Sequence, residues 1–481
     1  MLTRRDLIHS RHFLQRRLLT SFVAHRPDPL EWSGTRLPGA TLAAVMFLVI
    51  SIAAVGIYGF IRPAGNKKWR TCEQIIIEAE TGAPYVCGDG VLYPAANFAS
   101  AALLRGRAEK PIRVSRASLT WPRGMVVGIP DAPTALPAST DLTTAAWSYC
   151  VRPSRGRLAW DKSSGTASTS DPPQSVVLVG GQPTAGPEGP PSLLGLNEAV
   201  AVTDVVEQKL YLIHRGRRHE IRDPEVVSQA LRINQVDTVP VNPAWLATIP
   251  IGPALTKQVV SGRGGKVKGL PNLKVGQFVV VNDGDQARYF LARPTGLQPV
   301  SELQEALIRA TVDDTSERVA LSPVQLAGVA QLERVPDPLA GDGRLPALVP
   351  ATRSHQVVCA VSADGSDQRV ITVGGAVPTR DPASVTGPVG RSSVAGTLLA
   401  DEVVVAPGAG ALVRAMPSPG APDGPVYLVT ETGWRYAIGS QTALERLGYG
   451  DVTPVRQPSS LVDRLSEGPV LSELTLAGSG P

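Results

Sequence analysis

The sequence lacks the spacings that mark common catalytic and metal chemistry. No G-x-S-x-G elbow presents a serine nucleophile, and no Cys-x-x-Cys offers half of a zinc site. GRGGKVKG (Gly262–Gly269) comes nearest to a phosphate loop. Val260 stands where that loop needs its first Gly, and Val267 where it needs a Mg²⁺-binding Ser or Thr. The segment reads as a basic turn between strands. NDGD (Asn282–Asp285) begins like a Ca²⁺ loop but has no third oxygen ligand in step and no closing Glu, so it reads as a hairpin turn. His214 and His219 lie five apart across a Gly turn with no further zinc ligands and read as hairpin residues. No catalytic residue, cofactor or metal site is legible; an unusual enzyme stays open.

Aromatics are also few, at 5% of 481 residues, whereas Gly (47) and Pro (43) are many. That balance favours short strands joined by turns over long helices. Positive charge is scarce where a nucleic-acid surface would need it. Residues 1–70 hold eleven Lys/Arg against three Asp/Glu, a net +8, so the +5 of the whole chain leaves −3 for residues 71–481. The large C-terminal part therefore has no footprint for nucleic acid. The basic N-terminal part suits anionic lipid headgroups.

One long run carries no charge: Gly39–Ile61. As a helix it would extend roughly 34 Å, enough to cross a hydrocarbon core of about 30 Å. The preceding segment is too long for a signal-peptide n-region and the run too long for its h-region, so we read a retained anchor. Seven Arg precede the run (Arg4, Arg5, Arg11, Arg16, Arg17, Arg26, Arg36), and Arg62, Lys67, Lys68 and Arg70 follow it. The excess places the N-terminus in the cytoplasm and the large domain outside. Within Arg5–His25, Leu7, Leu14, Leu18 and Phe22 share one helical face, a basic amphipathic pattern. It could lie on the inner leaflet or pack on a partner's cytoplasmic domain; both stay open.

All four cysteines, Cys72, Cys87, Cys150 and Cys359, follow the span. An even number on an oxidising side suggests two disulfides, with three pairings possible. We favour a local Cys72–Cys87 loop and a long-range Cys150–Cys359 staple, the latter with a nominal stabilisation of about 5 kcal/mol.

Internal repeats organise the rest. YLIHRGRRHEI (Tyr211–Ile221) matches YLVTETGWRYAI (Tyr427–Ile438), each a hairpin followed by a short helical run, an apolar segment around a Pro, and a closing Gly-Pro. Tyr211 to Gly252 is 41 positions, and so is Tyr427 to Gly468. A third copy starts at Tyr289 and a diverged first copy at Tyr85. Cys150 and Cys359 lie in two β-patterned segments on either side of the second and third copies, so their bond would join both segments into one central domain. The expected class is α+β and β-rich: one transmembrane helix and an elongated outer domain of four ββα-type repeats around a disulfide-stapled β domain. The expected division is 1–38 cytoplasmic helix, 39–61 span, 62–111 repeat 1, 112–205 central, 206–258 repeat 2, 259–335 repeat 3, 336–425 central, 426–473 repeat 4 and 474–481 tail.

Several segments together resemble the EccB subunit family of type VII (ESX) secretion systems. They are the Arg-rich N-terminal helix ending in Pro27-Asp28-Pro29, the single span followed by RPAGNKKWR (Arg62–Arg70), LYPAANFASAALLRG (Leu92–Gly106), WPRGMVVGIPDAP (Trp121–Pro133), WSYC (Trp147–Cys150) and VCA (Val358–Ala360). Asp131 stands where the family pattern has Gly, and Cys72 and Cys87 look like an added staple. The resemblance implies a subunit of a membrane-embedded secretion core. Its implied partners are a multi-ATPase motor, a polytopic channel subunit, a second membrane-anchored subunit and further copies of itself. It also implies that Cys150 and Cys359 form the central-domain disulfide. Some members of that family are described as ATPases; nothing in these residues supports it. A membrane-anchored cell-wall-binding module is the alternative function.

Overall fold

A computed structural model of the chain describes residues 3–24, 37–61, 68–106, 110–152, 159–161, 166–168, 173–187, 189–283, 286–339, 341, 343–349, 357–366, 368–378, 392–393, 396–418 and 420–476. They fall into two compact units: residues 1–71, 78–82 and 113–121 form one, and the remainder the other.

The first unit contains two long helices, α1 (Arg4–Ala24) and α2 (Leu37–Ile61). Neither has Pro in its interior; Pro38 sits in the first turn of α2, where its missing N–H costs nothing. Just before α1, the Thr3 N–H and hydroxyl both donate to the Asp6 carboxylate, at 3.0 and 2.6 Å. Those bonds hold Asp6 below the usual carboxylate range. Elsewhere in this unit Trp69 is buried, with the Trp121 ring edge-on to it at 5.0 Å. The wholly buried Glu78 is paired to Arg116.

Beyond the two long helices the described chain forms four small sheets of one design, a six-stranded sheet and two two-stranded ribbons. In repeat 2 a leading strand (Glu198–Asp204) pairs antiparallel with a hairpin (Leu210–His214 and Arg217–Glu220). The helix Pro224–Leu231 then returns the chain to Val239–Val241, which lies parallel to the leading strand on its other edge. Repeat 3 repeats this with Phe278–Asp283, Gln286–Arg293, Gly296–Pro299, Glu302–Thr311 and Val319–Leu321. Repeat 4 does so with Ala411–Met416, Val426–Val429, Trp434–Ala437, Gln441–Arg446 and Val455–Pro458. Repeat 1 uses Ile76–Glu78, Pro84–Gly88, Val91–Pro94 and Phe98–Arg105, with Ile112–Val114 beside the leading strand.

Each repeat therefore begins one strand before the hairpin that identifies it in sequence. The register also fixes which residues correspond. Tyr85 faces Pro94, Tyr211 faces Glu220, and Tyr427 faces Ala437; in repeat 3 it is Phe290 that faces Pro299. The sequence start at Tyr289 is thus one residue early. Matching tyrosine to tyrosine there moves the side chain to the opposite sheet face.

The helices make the repeats work in pairs. Helices Pro224–Leu231 and Glu302–Thr311 join repeats 2 and 3 over a core containing Leu212, Val227, Leu231, Leu303 and Leu307. Helices Phe98–Arg105 and Gln441–Arg446 join repeats 1 and 4 over Leu103, Leu444, Leu447 and Tyr449. Arg446 secures that contact by donating to the Leu103 carbonyl at 2.8 Å.

The six-stranded central sheet runs Glu402–Val404, Gln174–Leu178, Trp147–Arg152, Val358–Ser362, Val370–Val373 and Ser192–Leu193. Strands from both sides of repeats 2 and 3 thus meet in one sheet, and the two repeats are an insertion into it. Cys150 faces Cys359 across adjacent strands and is bonded to it; Cys72 is bonded to Cys87. The sheet packs on repeats 2 and 4 through Trp147, Tyr149, Val358, Trp245, Val413 and Leu461. Trp245 also donates its indole N–H to the Tyr149 carbonyl at 2.8 Å.

Candidate functional site

Two features can carry function: the membrane anchor and the way the repeats close. In α2 the window Gly39–Ile57 has mean hydropathy 2.5 and none of it is buried. A helix of this length and composition can cross a bilayer. On α1, Arg4, Arg5, Arg11, Arg16 and Arg17 are all exposed, and so are Leu7, Leu14, Leu18 and Phe22. At about 100° per residue these four apolar side chains share an arc. Arg4 and Arg11 fall inside that arc, so the apolar stripe is interrupted and its segregation is weak. His25 and Pro27–Pro29 lie outside the described residues.

The repeats close by a shared clasp. In repeat 4 the Gly468 N–H donates to Arg435 O and the Leu471 N–H to Ala437 O, both at 2.8 Å. These bonds bracket Tyr436, whose ring lies against Gly468. A Cβ on Gly468 would come 2.2 Å from the ring. Repeat 2 does the same around His219: Gly252 N–H to Arg218 O and Leu255 N–H to Glu220 O, with a Gly252 Cβ 2.3 Å from the imidazole. Repeat 1 does it around Tyr93: Gly124 N–H to Leu92 O and Val127 N–H to Pro94 O, with a Gly124 Cβ 2.6 Å from the ring. Glycine is needed in all three because no side chain fits under the ring. Repeat 3 has Gln298 in the ring position and Leu332 in the glycine position. The Leu332 N–H still donates to Leu297 O at 2.8 Å.

The Gly-Pro signal finds this clasp in repeats 2 and 4. In repeat 1 Gly124 is preceded rather than followed by a proline neighbourhood, and sequence reasoning missed its role. The transferable signal is a Gly three residues before an apolar position, beneath a hairpin ring.

The segments considered for chemistry lie in or beside hairpins. His214 and His219 are buried on one sheet face, each with Nδ1 against a backbone carbonyl, Glu198 O at 3.0 Å and Pro253 O at 2.8 Å. Burial pushes the His219 imidazolium down from its ordinary value, and the nearby His214 adds to that; the bond to Pro253 opposes it. In Gly262–Gly269 the Gly264 and Gly265 N–H groups donate to Val275 O and Gly262 O, and Lys266–Val267 pairs with Leu270–Lys274. Its amides thus serve a hairpin rather than a cradle. Asp283 pairs with Gln286 across the NDGD turn, whose residues 284 and 285 lie outside the described set. Among the described residues no three His, Cys, Asp or Glu side chains are grouped to hold a metal ion.

A family model described as "Type VII secretion system ESX-1, transport TM domain B" matches residues 1–475. The chain belongs to the EccB family of type VII secretion. Relatives of this EccB chain include the "ESX-3 secretion system ATPase EccB3" of Mycolicibacterium smegmatis, 27% identical over 491 residues, with 96% of this chain and 87% of the relative covered. The "ESX-5 secretion system ATPase EccB5" of Mycobacterium tuberculosis is 26% identical over 502 residues, covering 98% and 92%. Among solved structures, an EccB3 dimer from the ESX-3 core complex superposes with a TM-score of 0.60 at 25% identity, covering 83% of this chain and 98% of that one. A chain of an intact ESX-5 inner membrane complex superposes with a TM-score of 0.63 at 24% identity, covering 100% and 97%, a likeness of fold.

Proposed function

We propose that the chain is a structural subunit of a type VII secretion membrane complex, bracing the export core through its repeats. The observation that carries this reading is the family match from residue 1 to residue 475, which includes the anchor and all four repeats. On this reading α2 crosses the membrane, α1 stays on the cytoplasmic side beside anionic lipid, and the repeats stand outside. The Arg excess before the span supports that orientation. Two disulfides in the second unit support an oxidising compartment. The domain division follows the sequence boundaries, with each repeat taken from its leading strand.

The partners are other core subunits: a multi-ATPase motor, a polytopic channel subunit and a second membrane-anchored subunit. A second copy of the chain is a further partner, supported by the dimer in which the EccB3 relative was solved. We assign no ATP hydrolysis to this chain, although relatives carry "ATPase" in their names. The glycine-rich segment that could have cradled phosphate uses its amides within a hairpin.

Gentle detergent extraction of native membranes, purification on a C-terminal tag and mass spectrometry test the proposal. Stoichiometric recovery of a motor subunit and a polytopic subunit is expected. Recovery of this chain alone, from membranes that contain those partners, would refute the scaffold role. Sedimentation of the chain with peptidoglycan would then make the cell-wall reading the leading one.

A further inference from the structure

The clasp of repeat 1 differs from the others in what it leaves outside. Its two backbone bonds, Gly124 N–H to Leu92 O and Val127 N–H to Pro94 O, enclose Met125 and Val126. The corresponding pairs are Pro253 and Ala254 in repeat 2, and Pro469 and Val470 in repeat 4. Met125 is 84% exposed, more than any other large apolar side chain among the described residues, and Val126 is 68% exposed. The clasp explains neither. Its bonds use backbone alone, and the Tyr93 ring requires glycine at 124 but nothing of the next two side chains.

Two tethers keep this tip on a short leash from the end of the span. Within the second unit, Gly124 is bonded to Leu92, Leu92 faces Cys87 across the hairpin, and Cys87 is bonded to Cys72 with Cα atoms 5.3 Å apart. Within the first unit, the Trp121 ring packs on Trp69 at 5.0 Å, and Arg70 Nη2 donates to the Thr120 hydroxyl at 3.0 Å. Trp69 lies eight residues beyond Ile61, and even a fully extended chain covers only about 28 Å in eight residues. Met125 follows Trp121 by four. The stretches Arg62–Thr71 and Trp121–Pro130 together carry five Lys/Arg and no Asp/Glu, with Glu73 and Asp131 just beyond them. Tryptophan, basic groups and exposed apolar side chains are the residue types of a membrane interface. We propose that Met125 and Val126 insert into the bilayer interface on the side where the chain leaves the span, so that repeat 1 rests on lipid. This rests on α2 crossing the membrane, as proposed above. Insertion removes both side chains from water, which favours it. It also gives the chain a second point of attachment, which stops repeat 1 from turning about the segment that leaves the span.

The test uses the full-length chain in vesicles of phosphatidylcholine and phosphatidylglycerol, with a nitroxide-bearing lipid as quencher. All four cysteines are paired, so one added thiol takes a fluorescent label alone. A label on Val126→Cys should be quenched by the lipid nitroxide. A label on Val324→Cys, a similarly exposed position in repeat 3, should not be. Adding Met125→Asp should cut the quenching at position 126 by about half or more, since a charge opposes insertion, whereas Met125→Leu should preserve it. A label on Ser51→Cys, inside the span, checks the anchor separately. Quenching at position 51 without quenching at position 126 would overturn the proposal and leave the anchor reading intact, while no quenching at position 51 would overturn both. A label at position 126 that is shielded from aqueous iodide but not quenched by lipid would mean that protein covers the tip, and would also overturn the proposal. So would equal quenching at positions 126 and 324, or unchanged quenching in a Met125→Asp chain whose Tm matches that of its parent.

Discussion

In repeat 4 the ring of Tyr436 lies over Gly468; in repeat 3 Gln298 takes the hairpin position of the ring and Leu332 the position of the glycine. The first backbone bond of the clasp is present in both, Gly468 N–H to Arg435 O and Leu332 N–H to Leu297 O, each at 2.8 Å. The two repeats thus put opposite residue pairs at one junction, a ring with glycine or an amide with leucine. Gln298 also reproduces what the ring does in repeat 2: its Nε2 donates to Glu333 O at 3.2 Å, where His219 contacts Pro253 O. This comparison predicts that steric volume is shared between the two positions, so that a substitution at one has to be judged with the other in view.

The strongest way to break this comparison is to place bulk under a ring. Gly468→Val should cost roughly 1–3 kcal/mol by forcing Tyr436 aside. Leu332→Val, a similar site without a ring, should cost less than about 1.5 kcal/mol. Denaturant unfolding of the full-length chain in detergent measures both, and equal losses would end the idea of a shared volume. Next in size is the exchange itself. Gly468→Leu combined with Tyr436→Gln should recover at least about 0.5 kcal/mol relative to the sum of the single changes, read as a double-mutant coupling. Strict additivity would mean that the two positions are independent.

A smaller effect concerns pH. Burial holds His219 below its ordinary value near 6.5, so the unfolded chain takes up the proton more readily than the folded one. The contribution of the neutral ring is complete above about pH 6.5 and is lost as the pH falls through that value toward the folded-state one. His219→Gln, which gives repeat 2 the side chain of repeat 3, should flatten the decline in Tm over that window. An unchanged decline would show that other groups cause it. The last comparison concerns the helix starts. Ser440 caps its helix by accepting the Ala443 N–H at 3.0 Å, so Ser440→Ala should cost about 1 kcal/mol. Asp223 makes no such bond in repeat 2 and instead accepts the Lys257 N–H at 2.8 Å. Asp223→Ala should therefore loosen residue 257 more than the helix, which amide exchange can resolve.

The sequence shows some of this architecture plainly and hides the rest for physical reasons. The apolar span is visible because a bilayer needs a long uninterrupted run. The hairpins are visible because alternation and a Gly turn are local. The leading strands are hidden because alignment starts at the hairpin, and a strand such as Glu198–Asp204 carries no mark linking it to the next element. Helices of four residues, such as Pro243–Leu246 and Ser459–Val462, are too short to display a 3.6-residue period. The pairing of repeat 1 with repeat 4 depends on helix faces far apart in the chain. On α1 the apolar spacing is correct but incomplete as a signal, because Arg11 occupies the same face.

The two disulfides also determine how a mechanical load would travel. A pull entering at Cys72 passes directly to Cys87, within the strand Pro84–Gly88, so it cannot peel away the loop between them. Further along, the bond from Cys150 to Cys359 is a covalent shortcut across a separation of 209 residues. Repeats 2 and 3 lie wholly inside that shortcut. Tension applied between the anchor and the C-terminal repeat would be borne by repeat 1, the central sheet and repeat 4. The inserted pair would stay slack, free to hold a neighbour without carrying the strain of the line.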